Sequence, residues 1–443
     1  MTPYWEDRWL TVYGGDARTV LADLPADSVH CCVTSPPYLG LRDYGTEPLT
    51  WGDGWVGQLG LEPTPAQYVE HLVEVFRGIR RVLRPDGIAW LVIGDSYTPQ
   101  STHGATPEVR SRGGGMNQRG RVLKDTLRPK PWGKSKDLVG IPWMSAFALR
   151  DDGWWLRADI VWSKANPMPE SVEDRPTRSH ESIFMLTKDP HYYYDHIAVK
   201  EPITESSRIR ISQRTFATQT GGPKDYAEGT NPNRSQRRAL VNFARKQDAG
   251  QQLKGDRMTG FNDRWDEEAE AEVLNGGRNR RDVWFVNTVA YPGAHYAVFP
   301  PKLVEPMILA STSERGCCPE CGAPWRRVMK KRTNRPTGAA IGGDPAREDG
   351  GVRTPDPTGK GGNVLATTTE ATAEFRPTCK RHEHEPEEGR WFPEPCTVLD
   401  VFAGSGTVGV VAQAHSRRAI LIDMQPDYLR QQIERNVKVP LGL

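Results

Sequence analysis

Apolar residues in this chain fall into short dense runs separated by longer mixed stretches. Runs rich in valine, isoleucine and aromatic residues occur at 9–13, 29–34, 88–94, 158–162, 182–187, 397–402 and 419–423. Runs this short, bounded by turn residues, predict strands rather than helices. The stretches between them carry helical spacing, clearest over 65–83. There Val69, Leu72, Val73, Phe76, Ile79 and Leu83 share one face. Thr64 with Gln67 has the spacing of a capping box, Pro65 suits the first helical position, and Pro85-Asp86-Gly87 predicts the stop. Short strands alternating with helices predict an α/β fold built on a parallel sheet.

Three polar stretches break the alternation. A basic, glycine-rich loop at 98–136 includes Arg110, Arg112, Arg119, Arg121, Lys124 and Arg128. A second stretch, 201–281, carries Arg237-Arg238, Arg245-Lys246 and Arg278-Asn279-Arg280-Arg281, together with acids such as Asp266-Glu267-Glu268. A third, 333–373, is dominated by glycine, threonine, proline and alanine and predicts a flexible loop. With 443 residues the chain can hold one large domain with insertions, or two domains. The net charge of +2 announces no nucleic-acid partner, so any basic surface must come from local clustering. Met1-Thr2-Pro3-Tyr4-Trp5-Glu6-Asp7 has no secretory pattern and no apolar run approaches a membrane span, so the expectation is a cytoplasmic protein without membrane contact. Seven cysteines are too few for a disulfide scaffold of this size, and Cys31 and Cys32 read as packing within a strand.

Two segments carry chemistry. Val398-Leu399-Asp400-Val401 leads into Phe402-Ala403-Gly404-Ser405-Gly406-Thr407 and then a short apolar helix. Glycines in such a strand-to-helix turn let the backbone approach a ligand, and the helix start presents free N–H groups. A short glycine pattern alone is weak, because many turns of this kind contain glycine. The next strand ends in Asp423, roughly 20 residues on, where a carboxylate can accept ribose hydroxyls. The second segment, Val33-Thr34-Ser35-Pro36-Pro37-Tyr38, follows a buried strand.

At these two segments the chain resembles the S-adenosylmethionine-dependent DNA amino-methyltransferases, the N4-cytosine and N6-adenine family. Their catalytic motif has Ser, Asp or Asn before Pro-Pro and an aromatic, and Phe402-Ala403-Gly404-Ser405-Gly406 resembles their cofactor motif. The resemblance implies a Rossmann-like, seven-stranded sheet that is circularly permuted, because the catalytic motif precedes the cofactor turn. This is the motif order of the beta class. It implies a catalytic half at 1–200, a target-recognition insertion at 201–281, and a cofactor half at 282–443. Cofactor contacts then fall to Asp16, Asp400, Phe402, Ala403, Gly404, Ser405, Gly406, Thr407 and Asp423, with Asp16 near the adenine ring. Asp95 and His295 are further positions near the expected site.

The chemistry explains the motif. The target amine is a poor nucleophile because its lone pair is delocalised into the ring, and the base must first leave the duplex stack. The resemblance gives Ser35 and the Pro36 carbonyl the task of accepting hydrogen bonds from that amine. Pro36 and Pro37 stiffen the backbone, and Tyr38 offers a face on which the flipped base stacks. Serine at position 35 favours N4 of cytosine in double-stranded DNA, with N6 of adenine as the alternative. Cytosine C5 is disfavoured because neither Cys31 nor Cys32 follows a proline. RNA remains a substrate to test, and the long basic insertions fit a small-molecule methyltransferase poorly. From another class, the chain could be a non-catalytic DNA-binding protein with a methyltransferase fold. Finally, Cys318-Pro319-Glu320-Cys321 has the spacing of half a zinc knuckle within 315–390. Cys379 with His382 or His384 would complete it, and the resemblance points to structural zinc. The halves are more than fifty residues apart, and Cys317 and Cys396 are alternative ligands.

Overall fold

The structure, a computed structural model, describes residues 1–98, 133–204, 277–289, 299–334, 366–379 and 393–437. The elements that build the main sheet are β1 (Trp5–Glu6), β2 (Leu10–Gly14), β3 (Val29–Thr34), β6 (Leu83–Ile93), β7 (Trp155–Ser163), β8 (His180–Thr187), β9 (Val283–Phe285), β12 (Thr397–Asp400) and β13 (Arg418–Asp423). Their order across the sheet is β1-β2-β13-β12-β3-β6-β8-β7-β9. All seven strands expected from sequence are present. The other two, β1 and β9, are edge strands of two and three residues, too short to leave an apolar run.

Five neighbouring strands, β2-β13-β12-β3-β6, are mutually parallel. If β12 counts as first, their order is 3-2-1-4-5, the doubly wound arrangement reached by a permuted chain. β8 runs antiparallel to both β6 and β7, so the sheet is mixed rather than wholly parallel.

Among the described residues, six helices flank the strands: α1 (Ala17–Asp23), α2 (Pro65–Val82), α3 (Ile141–Asp151), α4 (Pro301–Ser311), α5 (Thr407–Ala414) and α6 (Pro426–Asn436). Alternation along the strands sends side chains to opposite faces. Cys32, Ala89 and Leu91 join one buried cluster with α1, α2 and α3. Cys31, Val33, Ile88 and Trp90 join another with α4 and α5. Thr64 caps α2, its hydroxyl accepting from the Gln67 N–H at 3.2 Å. The helix stops ahead of Pro85 as expected: α2 ends at Val82, and β6 starts at Leu83. Pro85-Asp86-Gly87 falls where the pairing of β6 with β3 shifts register, between Leu83 opposite Val29 and Ile88 opposite Cys31.

Two small sheets complete the described residues. β4 (Leu49–Thr50) pairs with β5 (Val56–Gly57), and β10 (Arg326–Asn334) pairs with β11 (Ala366–Arg376). The expected loop over 333–373 therefore gives way to strand at both ends. Chain contacts define two compact units, one of Met1–Val199, Arg280–Arg326 and Phe375–Leu443, the other of Lys200–Asn279 and Arg327–Glu374. Within the second, Glu201 and Arg278 form a backbone bridge and an ion pair of 3.2 Å. Most of 98–136 and of 201–281 lies outside the described residues. No helix among the described residues is long and apolar enough to cross a membrane.

Candidate active site

The parallel strands reverse their winding between β12 and β3, and ligands of open α/β sheets bind beyond the carboxyl ends at that point. A cleft of about 840 Å³ opens there, within the range of small-molecule sites. Its walls include Asp16, the Ser35-Pro36-Pro37-Tyr38 run, Phe402, Ala403, Gly404, Ser405, Thr407 and Asp423. Residues from the two ends of the chain thus meet in one cavity.

The cofactor side is held from behind. Gly404 and Gly406 adopt φ of 51° and 75°, which favours glycine. A Cβ at Gly406 would lie 2.8 Å from Asn436 Nδ2. Helix α6 braces the turn: Gln432 Nε2 donates to the Gly404 carbonyl at 2.9 Å, and Arg435 Nη1 to Ser405 Oγ at 2.8 Å. Asp423 ends β13 and accepts from the N–H groups of Gly404 (2.7 Å) and Gln425 (2.9 Å), one on each oxygen. The carboxylate lines the cleft, where a hydroxyl could donate to it. Burial pushes the Asp423 carboxyl up to about 6, against the backbone donors that lower it. Asp16 caps α1 and pairs with Arg18 at 2.8 Å, while Arg18 lies over Trp51, another wall residue.

Asp400 occupies a different place from the other cofactor-motif residues. It is fully buried, off the cleft wall, with Oδ1 accepting from the Thr34 hydroxyl (2.8 Å) and the Phe402 N–H (3.1 Å). It ties the ends of β3 and β12 together. Among the described residues its Oδ2 finds no hydrogen-bond partner, and burial raises the carboxyl to about 7.

On the catalytic side, the Tyr68 hydroxyl of α2 donates to the Pro37 carbonyl at 2.9 Å, which anchors the Pro-Pro segment. The Tyr38 hydroxyl donates to Glu181 Oε2 at 2.7 Å. Lys164 pairs with Glu181 Oε1. Burial, then the Glu181 charge, pushes the Tyr38 phenol well above its ordinary value. A Cβ on Gly94 would come 2.5 Å from the Tyr38 ring, so only glycine leaves this ring its place. Asp95 proves structural: its Oδ1 accepts from the N–H groups of Ser96, Gly140 and Ile141, each at 2.9 Å, and so holds the start of α3. His295 lies outside the described residues, although Phe299, just beyond, reaches the wall.

Sequence reasoning did not single out Lys164, Glu181, Trp51, Tyr44, Gln425 or Tyr428, all on the wall. Lys164 and Glu181 flank the ends of two predicted strands, and that position beside the expected site was the available signal.

Of the cysteines, Cys318, Cys321 and Cys379 converge, their sulfurs within 4.8 Å of one another, while His382 lies outside the described residues. Burial and the two neighbouring thiols push Cys379 up to about 12. Cys317, Cys396 and His30 form a separate buried group.

A doubly wound sheet with a glycine turn after its first strand, an acid after its second and a Ser-Pro-Pro-Tyr loop after its fourth defines an S-adenosylmethionine-dependent methyltransferase. The chain belongs to the N6/N4 DNA methylase family, described as DNA methylase, which matches residues 29–318 and 393–435. It is 40% identical over 306 residues to the Type II methyltransferase M.XycI of Xanthomonas campestris pv. cyanopsidis, covering 69% of this chain and 73% of that protein. It is also 40% identical over 303 residues to the Type II methyltransferase M.Cfr9I of Citrobacter freundii, covering 68% and 72%. Among solved structures it resembles the cytosine-N4-specific PvuII DNA methyltransferase, with 14% identity, a TM-score of 0.45, and coverage of 98% and 88%. The protein is a site-specific DNA methyltransferase that takes its methyl group from S-adenosylmethionine and acts on an exocyclic amine.

Proposed function

We propose that the amine is N4 of cytosine in double-stranded DNA, and that the base enters the cleft flipped out of the stack. The observation that carries this reading is the meeting of Ser35-Pro36-Pro37-Tyr38 with the 402–407 turn and Asp423 around one cleft. The cofactor supplies an electrophilic methyl group on a sulfonium. Asp423 and Asp16 hold its nucleoside portion, and the glycine turn lets backbone lie against it. Ser35 Oγ and the Pro36 carbonyl accept from the target amine, which orients its lone pair and stabilises the charge that develops. Tyr68 fixes the neighbouring Pro37 carbonyl, so the loop's acceptor geometry is set before the base arrives. No covalent enzyme intermediate is required.

Serine at 35 supports cytosine. An uncharged first residue withdraws no proton from the amine by itself, and it takes less space than a carboxylate beside the pyrimidine. N6 of adenine is the second reading, supported by the family's shared motif. The 201–281 segment is proposed as the target-recognition region between the halves at 1–200 and 282–443, supported by its position and arginine content. The Type II names of the relatives support a place as the modification partner of a restriction system.

The test is nucleoside mass analysis of duplex DNA incubated with the purified protein and methyl-labelled cofactor. N4-methylcytosine is expected. N6-methyladenine would move the substrate and keep the site. Label in RNA alone would remove DNA as the substrate. Cofactor binding without transfer to any nucleic acid would restore the non-catalytic reading.

A further inference from the structure

We propose that Cys318, Cys321 and Cys379 bind one structural zinc ion through their thiolates. Two segments nearly sixty residues apart in sequence bring three sulfurs within 4.8 Å of one another, and tetrahedral zinc–thiolate geometry sets sulfurs ~3.8 Å apart. The first two sit on a knuckle: the Gly322 N–H donates to the Cys318 carbonyl (2.8 Å) and the Cys318 N–H to the Ala323 carbonyl (2.9 Å), with Gly322 at φ 69°. Thr378 Oγ1 donates to the Pro324 carbonyl at 2.9 Å, docking the segment that carries Cys379 against the knuckle. Arg84, at the start of β6, donates to the Cys321 carbonyl at 2.5 Å and braces the knuckle.

The neighbouring trio of His30, Cys317 and Cys396 is chemically different. His30 Nδ1 accepts from the Thr397 N–H at 3.0 Å, so Nε2 carries the proton and donates to the Gly322 carbonyl at 2.8 Å. Both ring nitrogens are engaged, and His30 is a brace between β3, β12 and the knuckle rather than a ligand. His30 lies near the amino end of β3, whereas Ser35 follows its carboxyl end, about 17 Å away for five strand residues. The ion would therefore secure the fold rather than meet the substrate.

The experiment measures metal per chain in protein purified without added metal, and thiol reactivity before and after chelation. One zinc per chain is expected, with three thiols released by the chelator. Cys321→Ser and Cys379→Ser should each lose the metal, while Cys396→Ala should retain it. Cobalt substitution should give thiolate-to-metal charge-transfer absorption that either serine variant weakens. A metal-free chain whose three thiols react at once, or full metal retention by both serine variants, would overturn the site.

Discussion

At the residue scale, two carboxylates near the cleft differ in what surrounds them. Asp423 lines the cleft, whereas Asp400 is buried behind it and bonded to Thr34 and Phe402. Asp423→Ala should weaken cofactor binding by roughly 10- to 100-fold, the cost of losing hydrogen bonds to a charged group. An unchanged dissociation constant by calorimetry would take it out of the site. Asp400 has a consequence for stability. Its carboxyl ionises near 3.8 in the unfolded chain but at about 7 in the fold. Between those values the folded state holds a proton that the unfolded state has released. The contribution of Asp400 to stability is therefore greatest below pH ~4 and declines through pH ~7, by on the order of a few kcal/mol. Asp400→Asn should flatten this slope in denaturant melts at several pH values; an unaltered slope would contradict the buried protonation. Ser35→Ala should cut kcat by about 10²-fold or more while leaving cofactor affinity intact, which single-turnover assays would separate.

At the element scale, the catalytic loop is held by strands and helices that share little sequence with it. Gly94, just past β6, leaves the space that the Tyr38 ring fills. Gly94→Ala should displace that ring and cost roughly 10²-fold in kcat, as small misplacements at reacting centres do. Near-normal turnover in a folded variant would show that the ring has other room. Helix α6 acts in the same way on the glycine turn through Gln432, Arg435 and Asn436. None of these contacts follows from periodicity, because each joins segments distant in sequence. Periodicity did reveal α2 and the seven longer strands, whose apolar runs match their buried faces. It missed β1 and β9, edge strands too short to leave an apolar run, although Trp284 of β9 packs into the core.

For the whole molecule, the permuted chain order puts the catalytic motif near one end and the cofactor turn near the other, so both ends must fold together to make the cleft. Ligand binding should then stabilise the whole cooperative unit. At about 100 times its Kd, S-adenosylmethionine should add about 2.7 kcal/mol to stability, visible as a rise in Tm. Cofactor binding with no change in Tm would mean that the cofactor half folds independently.

The α/β class, the permuted order, the Ser-Pro-Pro-Tyr run at 35–38, the glycine turn and the aspartate after the next strand were legible in the sequence alone. Strand periods, turn glycines and motif chemistry are local properties that a single segment carries. Only the tertiary structure decided that Asp400 lies beneath the cleft, that Asp95 caps a helix, that Glu181 and Lys164 stand behind Tyr38, and that Cys318, Cys321 and Cys379 converge. Those assignments depend on which distant side chains share a buried space, and burial and pairing across the sheet are set by the assembled fold.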